Sequence, residues 1–234
     1  MGVKENLKNI KLRIEKAKAA RKNIIDTGDV KIIAASKYVN AAAVIAASRG
    51  GVEYFGENKV QALKEKIEYI REHAPDVLEK SEFYMIGHLQ SNKSRDAVGY
   101  SAMIQSIDSK KLAHSVNMAA VKQNKIIPVL IELKTSTEET KSGIDIAGAF
   151  ELAEYITAEL KNLKFCGVMT MAEFTEDTER VRGCFKLAYD TFVKFRDIYG
   201  AQCEFLSMGM SDDFEIAVSE GANMVRIGRL LFKE

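Results

Sequence analysis

Residues 30–51, which read VKIIAASKYVNAAAVIAASRGG, contain a short strand and the helix that follows it. Residues 30–36 form a largely apolar run rich in β-branched side chains, a pattern that predicts a buried strand. The alanine-rich run after Asn40 predicts a helix, because Asn is a favourable N-cap and the Gly50-Gly51 pair is a favourable C-terminal stop. A strand followed at once by a helix is the unit that builds parallel sheets.

The same alternation continues along the rest of the chain. Eight strands are predicted, at residues 30–36, 52–55, 83–86, 102–107, 126–133, 165–169, 203–206 and 223–227. Predicted helices lie between them, at residues 41–47, 58–73, after 91, 109–123, 148–160, 178–199 and 212–220. Apolar residues at helical spacing between Val3 and Ile24 predict one more helix, before the first strand. We therefore expect an α/β protein, a single (β/α)8 TIM barrel with an extra N-terminal helix and one domain over residues 1–234. An open doubly wound sheet is the alternative.

The overall composition argues against several classes of partner. The chain has 34 Lys+Arg against 33 Asp+Glu and a formal net charge of +1, whereas nucleic-acid-binding proteins normally carry a basic surplus. It contains no apolar run of about 18 residues that could span a bilayer. The first ten residues do not resemble a secretory signal, so we expect a cytoplasmic protein. No apolar stripe is left over on the predicted helices, which favours a monomer.

The cysteines and histidines do not form a recognisable framework. Cys166, Cys184 and Cys203 are odd in number, far apart and in no CxxC pair, so no disulfide framework is expected. The three histidines lack the spacing of a metal site, and we expect no metal.

The first strand ends in Ser36-Lys37-Tyr38, and barrels of this kind carry their chemistry at the carboxyl ends of the strands. We expect the ammonium of Lys37 to point toward the barrel mouth, in partly desolvated surroundings that lower its pKa. Such an amine can attack a carbonyl carbon and form a Schiff base. A lysine that only ends a strand and lies in solvent is the alternative.

The last two loops contain groups that bind phosphate. Barrels commonly place a phosphate site after the seventh and eighth strands, and Ser211, the amides of Gly228 and Arg229, and Arg226 could donate to one. Asp212 and its neighbour Asp213 would repel an anion at the start of the seventh helix, so we expect the anion nearer the eighth loop. A lysine across the barrel mouth from a phosphate site fits pyridoxal phosphate.

For the polar and glycine residues of other loops, a structural role is favoured over a functional one. After the second and third predicted strands, Gly56 and Gly87 are interpreted as turn residues and Asn58 as an N-cap. Met208 and Met210 either fill the core or pack on a planar ring.

Blocks along nearly the whole chain resemble those of the pyridoxal phosphate homeostasis proteins, whose fold is that of the N-terminal barrel of alanine racemase. In chain order they are residues 34–37 (AASK), 55–58 (FGEN), 86–93 (IGHLQSNK), 141–144 (KSGI), 207–212 (SMGMSD) and 225–228 (VRIG). The resemblance implies an alanine racemase-like barrel that binds pyridoxal 5′-phosphate as a Schiff base on Lys37. It also implies that the phosphate is held by Ser211, Gly228 and Arg229.

The resemblance further implies that Arg226 faces the phosphate or the pyridine nitrogen, and that Asn58, Met208 and Met210 border the ring. It implies a non-catalytic protein that supplies or buffers pyridoxal phosphate in vitamin B6 homeostasis, with PLP-dependent apoenzymes as recipients and indirect effects on amino-acid and keto-acid metabolism.

Two enzymatic alternatives remain open at this stage. Alanine racemase takes its second base, a tyrosine, from a β domain after the barrel, and we expect no such domain here because the sequence stops where the barrel closes. A racemase would need Lys37 as one base and Tyr38 or Tyr54 as the other. A barrel enzyme that acts on a phosphorylated sugar would use Lys37 as an aldolase-like amine.

Overall fold

The computed structural model of this chain describes residues 2–21, 24–25, 27–136 and 142–233. Eight strands form a closed barrel in which each strand pairs in parallel with the next and the eighth pairs with the first. The strands are β1 Lys31–Ala35, β2 Tyr54–Glu57, β3 Glu82–Met85, β4 Met103–Ile107, β5 Ile127–Leu133, β6 Leu163–Thr170, β7 Phe205–Ser207 and β8 Met224–Ile227. The predicted (β/α)8 barrel is confirmed, and the open doubly wound alternative is wrong.

Helices surround the barrel and connect its strands. Those in the described part of the chain are α1 Val3–Ala19, α2 Ala41–Arg49, α3 Val60–His73, α4 Pro75–Lys80, α5 Ser94–Tyr100, α6 Lys110–Lys122, α7 Ile146–Glu159, α8 Thr178–Tyr199, α9 Phe214–Ser219 and α10 Arg229–Phe232. No helix among them is both long and apolar enough to cross a membrane. Asn40 caps α2 as predicted, because its side-chain oxygen accepts a hydrogen bond from the amide of Ala43 at 3.0 Å.

The largest differences from the predicted helices concern α1, α4 and α10. The first helix ends at Ala19 and does not extend to Ile24, because the amide of Ala20 turns back to the carbonyl of Ala17. Ile24 still packs against the core, so its apolar character reflects burial and not helical position. Two short helices, α4 and α10, were not predicted, because four to six residues are too few to show a helical period.

The core has two layers separated by the barrel wall. The outer layer fills the space between strands and helices. The inner layer fills the barrel and includes Ile33, Leu130, Phe205 and Met224. Since side chains alternate along a strand, residues two apart face the same side, and β1 therefore directs Ile33 and Ala35 inward. Lys37 follows Ala35 by two residues, at the upper rim of the barrel.

All three cysteines are buried and free of disulfides. In the ranges that the structure describes, no group of three or more His, Cys, Asp and Glu side chains has the arrangement of a metal site.

Candidate binding site at the barrel mouth

The loop after β8 lies directly beside the end of β1. Ala34 pairs with Ile227 across these two strands. A Cβ atom added to Gly228 would lie 3.2 Å from the carbonyl oxygen of Ala35, so the two backbones are in close contact. The expectation that the lysine and the phosphate loops face each other across the mouth is therefore wrong for the eighth loop. The barrel closes between β8 and β1, and this makes the two segments neighbours.

Lys37 lies in a turn that starts one residue after β1 ends. The preceding residue, Ser36, is buried, but the side chain of Lys37 is exposed. Its Nζ atom lies 4.9 Å from the ring centre of Tyr38, and Tyr38 is 82% exposed. The expected desolvation of Lys37 is therefore wrong. Its flexible four-carbon side chain starts at the rim and can turn into the mouth.

The turn that carries Lys37 is anchored from below. Lys66, on α3, donates a hydrogen bond from Nζ to the carbonyl oxygen of Ser36 at 2.7 Å, and also pairs with Glu57 at the end of β2. The hydroxyl of Ser36 donates to Glu57 at 3.2 Å. Neither Lys66 nor Glu57 was recognised as important in the sequence, although Glu57 directly precedes Asn58.

Arg226 lies inside the barrel below the mouth and is only 4% exposed. Its guanidinium donates to the hydroxyl of Ser207 and to the carbonyl oxygen of Thr170, both at 2.8 Å. Ser207 in turn donates to the side-chain oxygen of Gln105 at 2.8 Å. A chain of hydrogen bonds therefore holds the guanidinium in place from β4, β6 and β7.

The charge of Arg226 is balanced only at a distance. Burial lowers the pKa of Arg226 to about 10, while the charges of Asp213 and Glu132 act in the opposite direction. Within the described part of the chain, its hydrogen bonds go to neutral groups and no carboxylate pairs with it. These two bonds use one N–H group on each terminal nitrogen of a guanidinium that has five N–H groups in all.

Glu132 is a second buried ionisable group inside the barrel. Burial, with the neighbouring charge of Asp108, raises the pKa of Glu132 to about 7, and Arg226 opposes this shift. Glu132, Gln105 and Ser207 were not among the predicted site residues. The signal was a polar side chain in an otherwise apolar strand, as in the run from Val129 to Leu133.

The predicted phosphate-binding groups lie together after β7 and β8. Ser211 is buried, and its hydroxyl oxygen lies 3.4 Å from the amide of Leu230 in α10. The guanidinium of Arg229 pairs with Asp212 at an exposed position, so this side chain is already neutralised. Asp213 accepts a hydrogen bond from the amide of Met210 at 2.5 Å. Burial raises the pKa of Asp213. Asp212, which pairs with Arg229, therefore repels an anion less than its formal charge suggests.

The other predicted site residues are Asn58, Met208 and Met210. Asn58 is half-buried at the rim but is not an N-cap, because α3 starts at Val60 with Lys59 as its cap. Met208 is fully buried in the outer core layer, as the packing alternative expects. Met210 is partly exposed after β7.

The loop after β5 carries the block at residues 141–144. Lys141 itself lies outside the described residues. The amide of Ile144 donates to the carbonyl oxygen of Glu132 at 2.9 Å, and the amide of Lys134 donates to Ile144 at 2.8 Å. Gly143, with φ at +118°, would place a Cβ only 2.8 Å from the backbone of Leu133, so only glycine fits there. This block therefore lies across the end of β5.

Comparison with known proteins gives consistent matches over the full length. The family described as "Alanine racemase, N-terminal domain" matches residues 6–234. A pyridoxal phosphate homeostasis protein of Aquifex aeolicus is 37% identical over 236 residues, covering 100% of this chain and 99% of that protein. A crystal structure of a protein of unknown function from Bifidobacterium adolescentis superposes with a TM-score of 0.88 at 30% identity, over 98% of this chain and 94% of the other.

One structural relative is described with its ligand. PipY of Synechococcus elongatus, with pyridoxal phosphate bound, has a TM-score of 0.75 and 28% identity. The match covers 94% of this chain and 99% of PipY.

Proposed function

The chain belongs to the alanine racemase N-terminal domain family, and from this premise we propose that it binds pyridoxal 5′-phosphate at the barrel mouth and serves pyridoxal phosphate homeostasis. Its relatives over nearly their whole length carry that name, and PipY is described with pyridoxal phosphate bound. The observation that carries the proposal is the contact of Gly228 with Ala35, two residues before Lys37. It brings a primary amine and a phosphate-binding loop to the same edge of the barrel.

The residues present fit the chemistry of this ligand. When bound, pyridoxal phosphate supplies an aldehyde that condenses with a primary amine and releases water. Lys37 is the amine in the proposal. The hydroxyl of Ser211 and the amides of Gly228 and Arg229 donate hydrogen bonds to the phosphate.

Arg226 is the strongest sign that the mouth is built for an acceptor. In the described residues, the hydrogen bonds of this buried guanidinium go only to neutral groups, which leaves its charge costly, and a ligand that accepts hydrogen bonds would offset that cost. The ring nitrogen of a pyridine and the oxygens of a phosphate both do so. In the proposal Arg226 orients the ligand from below, while Asn58 and Met210 border the ring at the rim.

We propose a carrier and not an enzyme, because neither tyrosine suits the role of a second base. Tyr54 starts β2, at the end of the barrel away from the mouth, where its ring lies 5.0 Å from Lys31 Nζ and stacks on Tyr84. Tyr38 is largely exposed beside Lys37 and does not oppose it. A racemase requires two bases on opposite faces of the bound substrate.

The racemase reading remains the second candidate, since the family is named for a racemase. The proposal also includes a cytoplasmic location, one pyridoxal-phosphate-binding domain over residues 1–234, a monomeric state and PLP-dependent apoenzymes as recipients. An open mouth with an exposed lysine supports release of the ligand to another protein.

A spectrum of the purified protein, with and without added pyridoxal phosphate, tests the proposal. We expect a visible absorption band that borohydride abolishes, with the reduced ligand located on Lys37 by peptide mass. A label on another lysine would refute the assignment of Lys37. Turnover of a panel of amino acids that exceeds free pyridoxal phosphate and is lost in Lys37→Ala would replace the carrier by the enzyme.

A further inference from the structure

A buried ion pair lies just outside the barrel wall, beneath the turn that carries Lys37. Glu57 ends β2 and faces away from the barrel interior, because its neighbour Gly56 faces inward with Tyr54. Its carboxylate pairs with the ammonium of Lys66 from α3. The two side chains are 3% and 11% exposed, respectively, so water barely reaches the pair.

Both members of the pair hold Ser36, Lys66 through its backbone and Glu57 through its side chain. Lys66 donates to the carbonyl oxygen of Ser36 at 2.7 Å, and Glu57 accepts from the hydroxyl of Ser36 at 3.2 Å. The amide of Ser36 donates to the carbonyl of Gly56 at 2.9 Å. The carbonyl of Ser36 that accepts from Lys66 belongs to the peptide unit that joins Ser36 to Lys37. Lys66 therefore fixes the peptide plane from which the side chain of Lys37 starts.

The same carboxylate also holds the next turn along the rim. The second oxygen of Glu57 accepts a hydrogen bond from the amide of Asn58 at 2.8 Å. One ion pair thus couples the turn after β1 to the turn after β2. Each of these turns carries a residue of the proposed ligand site, Lys37 in the first and Asn58 in the second.

Stability alone does not account for this arrangement. Taking two charges out of water is costly, and a well-packed apolar pair of similar volume generally stabilises a protein as well or better. An apolar pair, however, cannot form hydrogen bonds to two turns. The feature that only the charged pair supplies is the fixed orientation of the rim backbone.

We infer that Lys66 is a positioning residue, which sets the direction from which the amine of Lys37 meets the aldehyde of the ligand. The inference rests on the proposed function of Lys37. In that step the neutral amine of Lys37 forms a carbon–nitrogen double bond in place of the carbon–oxygen double bond of the aldehyde, and the oxygen leaves as water with the two hydrogens of the amine. Lys66 takes no part in the bond changes, because its ammonium is already bound to Glu57 and to Ser36.

The test compares Lys66→Met and Lys66→Arg with a control on the same helix, Lys64→Met. Lys64 Nζ lies 5.7 Å from the ring centre of Tyr100 and does not hold the rim turn. Three quantities are measured for each variant: the rate at which the visible band forms after mixing with pyridoxal phosphate, the visible circular dichroism of the adduct, and the midpoint of thermal unfolding.

We expect Lys66→Met to slow formation of the adduct by about tenfold or more, because a misplaced reacting group loses rate steeply with distance. The circular dichroism band should weaken, since the ligand is held less firmly in one orientation. Lys66→Arg keeps the charge and should recover part of the rate, and Lys64→Met should match the wild type. Inhibition by inorganic phosphate should be the same in all variants, because the phosphate groups lie after β7 and β8.

Lys66→Met leaves Glu57 buried without its partner, so the double variant Glu57→Gln/Lys66→Met removes both charges and is measured in the same way. If neither folds, Glu57→Asp keeps both charges, shortens the carboxylate arm and decides the question. A folded Lys66→Met, Glu57→Gln/Lys66→Met or Glu57→Asp protein with the wild-type rate and circular dichroism would overturn the inference and leave the proposed function standing. A wild-type protein that forms no adduct on Lys37 would overturn the proposed function instead.

Discussion

Arg226 on β8 pairs in register with Ile33 on β1, so the backbone of Arg226 lies beside the strand that leads to Lys37. Both residues face the interior of the barrel, Arg226 through its bonds to Ser207 and Thr170 and Ile33 through the inner core layer. The cation is thereby fixed below the rim, and under the proposed function the ligand on Lys37 lies above it.

Substitution of the buried cation should weaken ligand binding. Arg226→Gln removes the charge and keeps a donor near Ser207, so the affinity for pyridoxal phosphate should fall by about ten- to hundredfold, the range of a charged hydrogen bond worth about 1.5–3 kcal/mol. Equilibrium titration followed by absorbance measures this change. Arg49→Gln is the control, because Arg49 lies at the exposed end of α2, where its guanidinium approaches Asp76. Equal affinities in the two variants would exclude a contact between Arg226 and the ligand.

A side chain at Gly228 should disturb the phosphate loop. In Gly228→Ala the new Cβ would lie 3.2 Å from the carbonyl oxygen of Ala35, and the loop must move to relieve this contact. We expect the affinity for pyridoxal phosphate to fall by about tenfold, equivalent to about 1.4 kcal/mol.

The matched control for this glycine is Gly183→Ala. Gly183 is exposed within α8, and a Cβ atom there meets no other atom within 4 Å. Its replacement should leave the affinity unchanged and raise the free energy of unfolding by about 0.5–1 kcal/mol, because alanine suits a helix better. Gly228→Ala with unaltered affinity would show that the eighth loop does not touch the ligand.

The hydroxyl of Ser211 should matter only for ligands that carry a phosphate. Ser211→Ala removes a donor next to α10 and should lower the affinity for pyridoxal phosphate by about tenfold, the cost of a charged hydrogen bond. Pyridoxal, which lacks the phosphate, should bind wild type and variant alike. Competition titrations with both compounds provide the comparison, and an equal loss for the two would place Ser211 elsewhere in the site.

Glu132 should make the stability of the protein depend on pH. Burial raises the pKa of Glu132 from 4.5 to about 7, so the folded protein keeps this proton over a range in which the unfolded chain has lost it. The contribution is therefore fully present below about pH 4.5 and is lost as the pH rises toward 7. Over that window it should reduce the free energy of unfolding by about 3 kcal/mol.

Glu132→Gln cannot ionise and should lack this decline. Urea unfolding at pH 5 and at pH 8 measures the free energy of unfolding of both proteins. Relative to the wild type, the variant should be more stable at pH 8 than at pH 5. Glu79→Gln, at an exposed position on α4, should follow the wild type at both values. A wild type whose stability changes no more than that of Glu132→Gln would contradict the assigned burial effect.

The barrel could be predicted from the sequence because its signals are local. Each strand is a short apolar run, and helix ends such as Asn40 and the glycines after α2 are marked by single residues. The order of strand and helix then leaves few topologies. The short helices α4 and α10 escaped prediction because they depend on tertiary packing more than on pattern.

The site could be predicted only in part, because side-chain direction and strand adjacency are not local. The sequence places Lys37 and Gly228 at strand ends, but the contact of Gly228 with Ala35 depends on the register between β8 and β1, which no local signal shows. The sequence does not show that Met208 faces the outer core, because that depends on which side chains of β7 point away from the barrel interior. Lys66 on α3 pairs with Glu57 on β2, and no sequence motif indicates how these two elements are oriented relative to each other.

The closure between β8 and β1 has a consequence for biosynthesis. Lys37 is synthesised before Arg226 and Gly228, because a chain grows from its N-terminus. A nascent chain therefore displays the amine before β8 exists to pair with β1. Under the proposed function, firm capture of the ligand starts only after β8 has docked on β1, so that bound ligand would report a closed barrel.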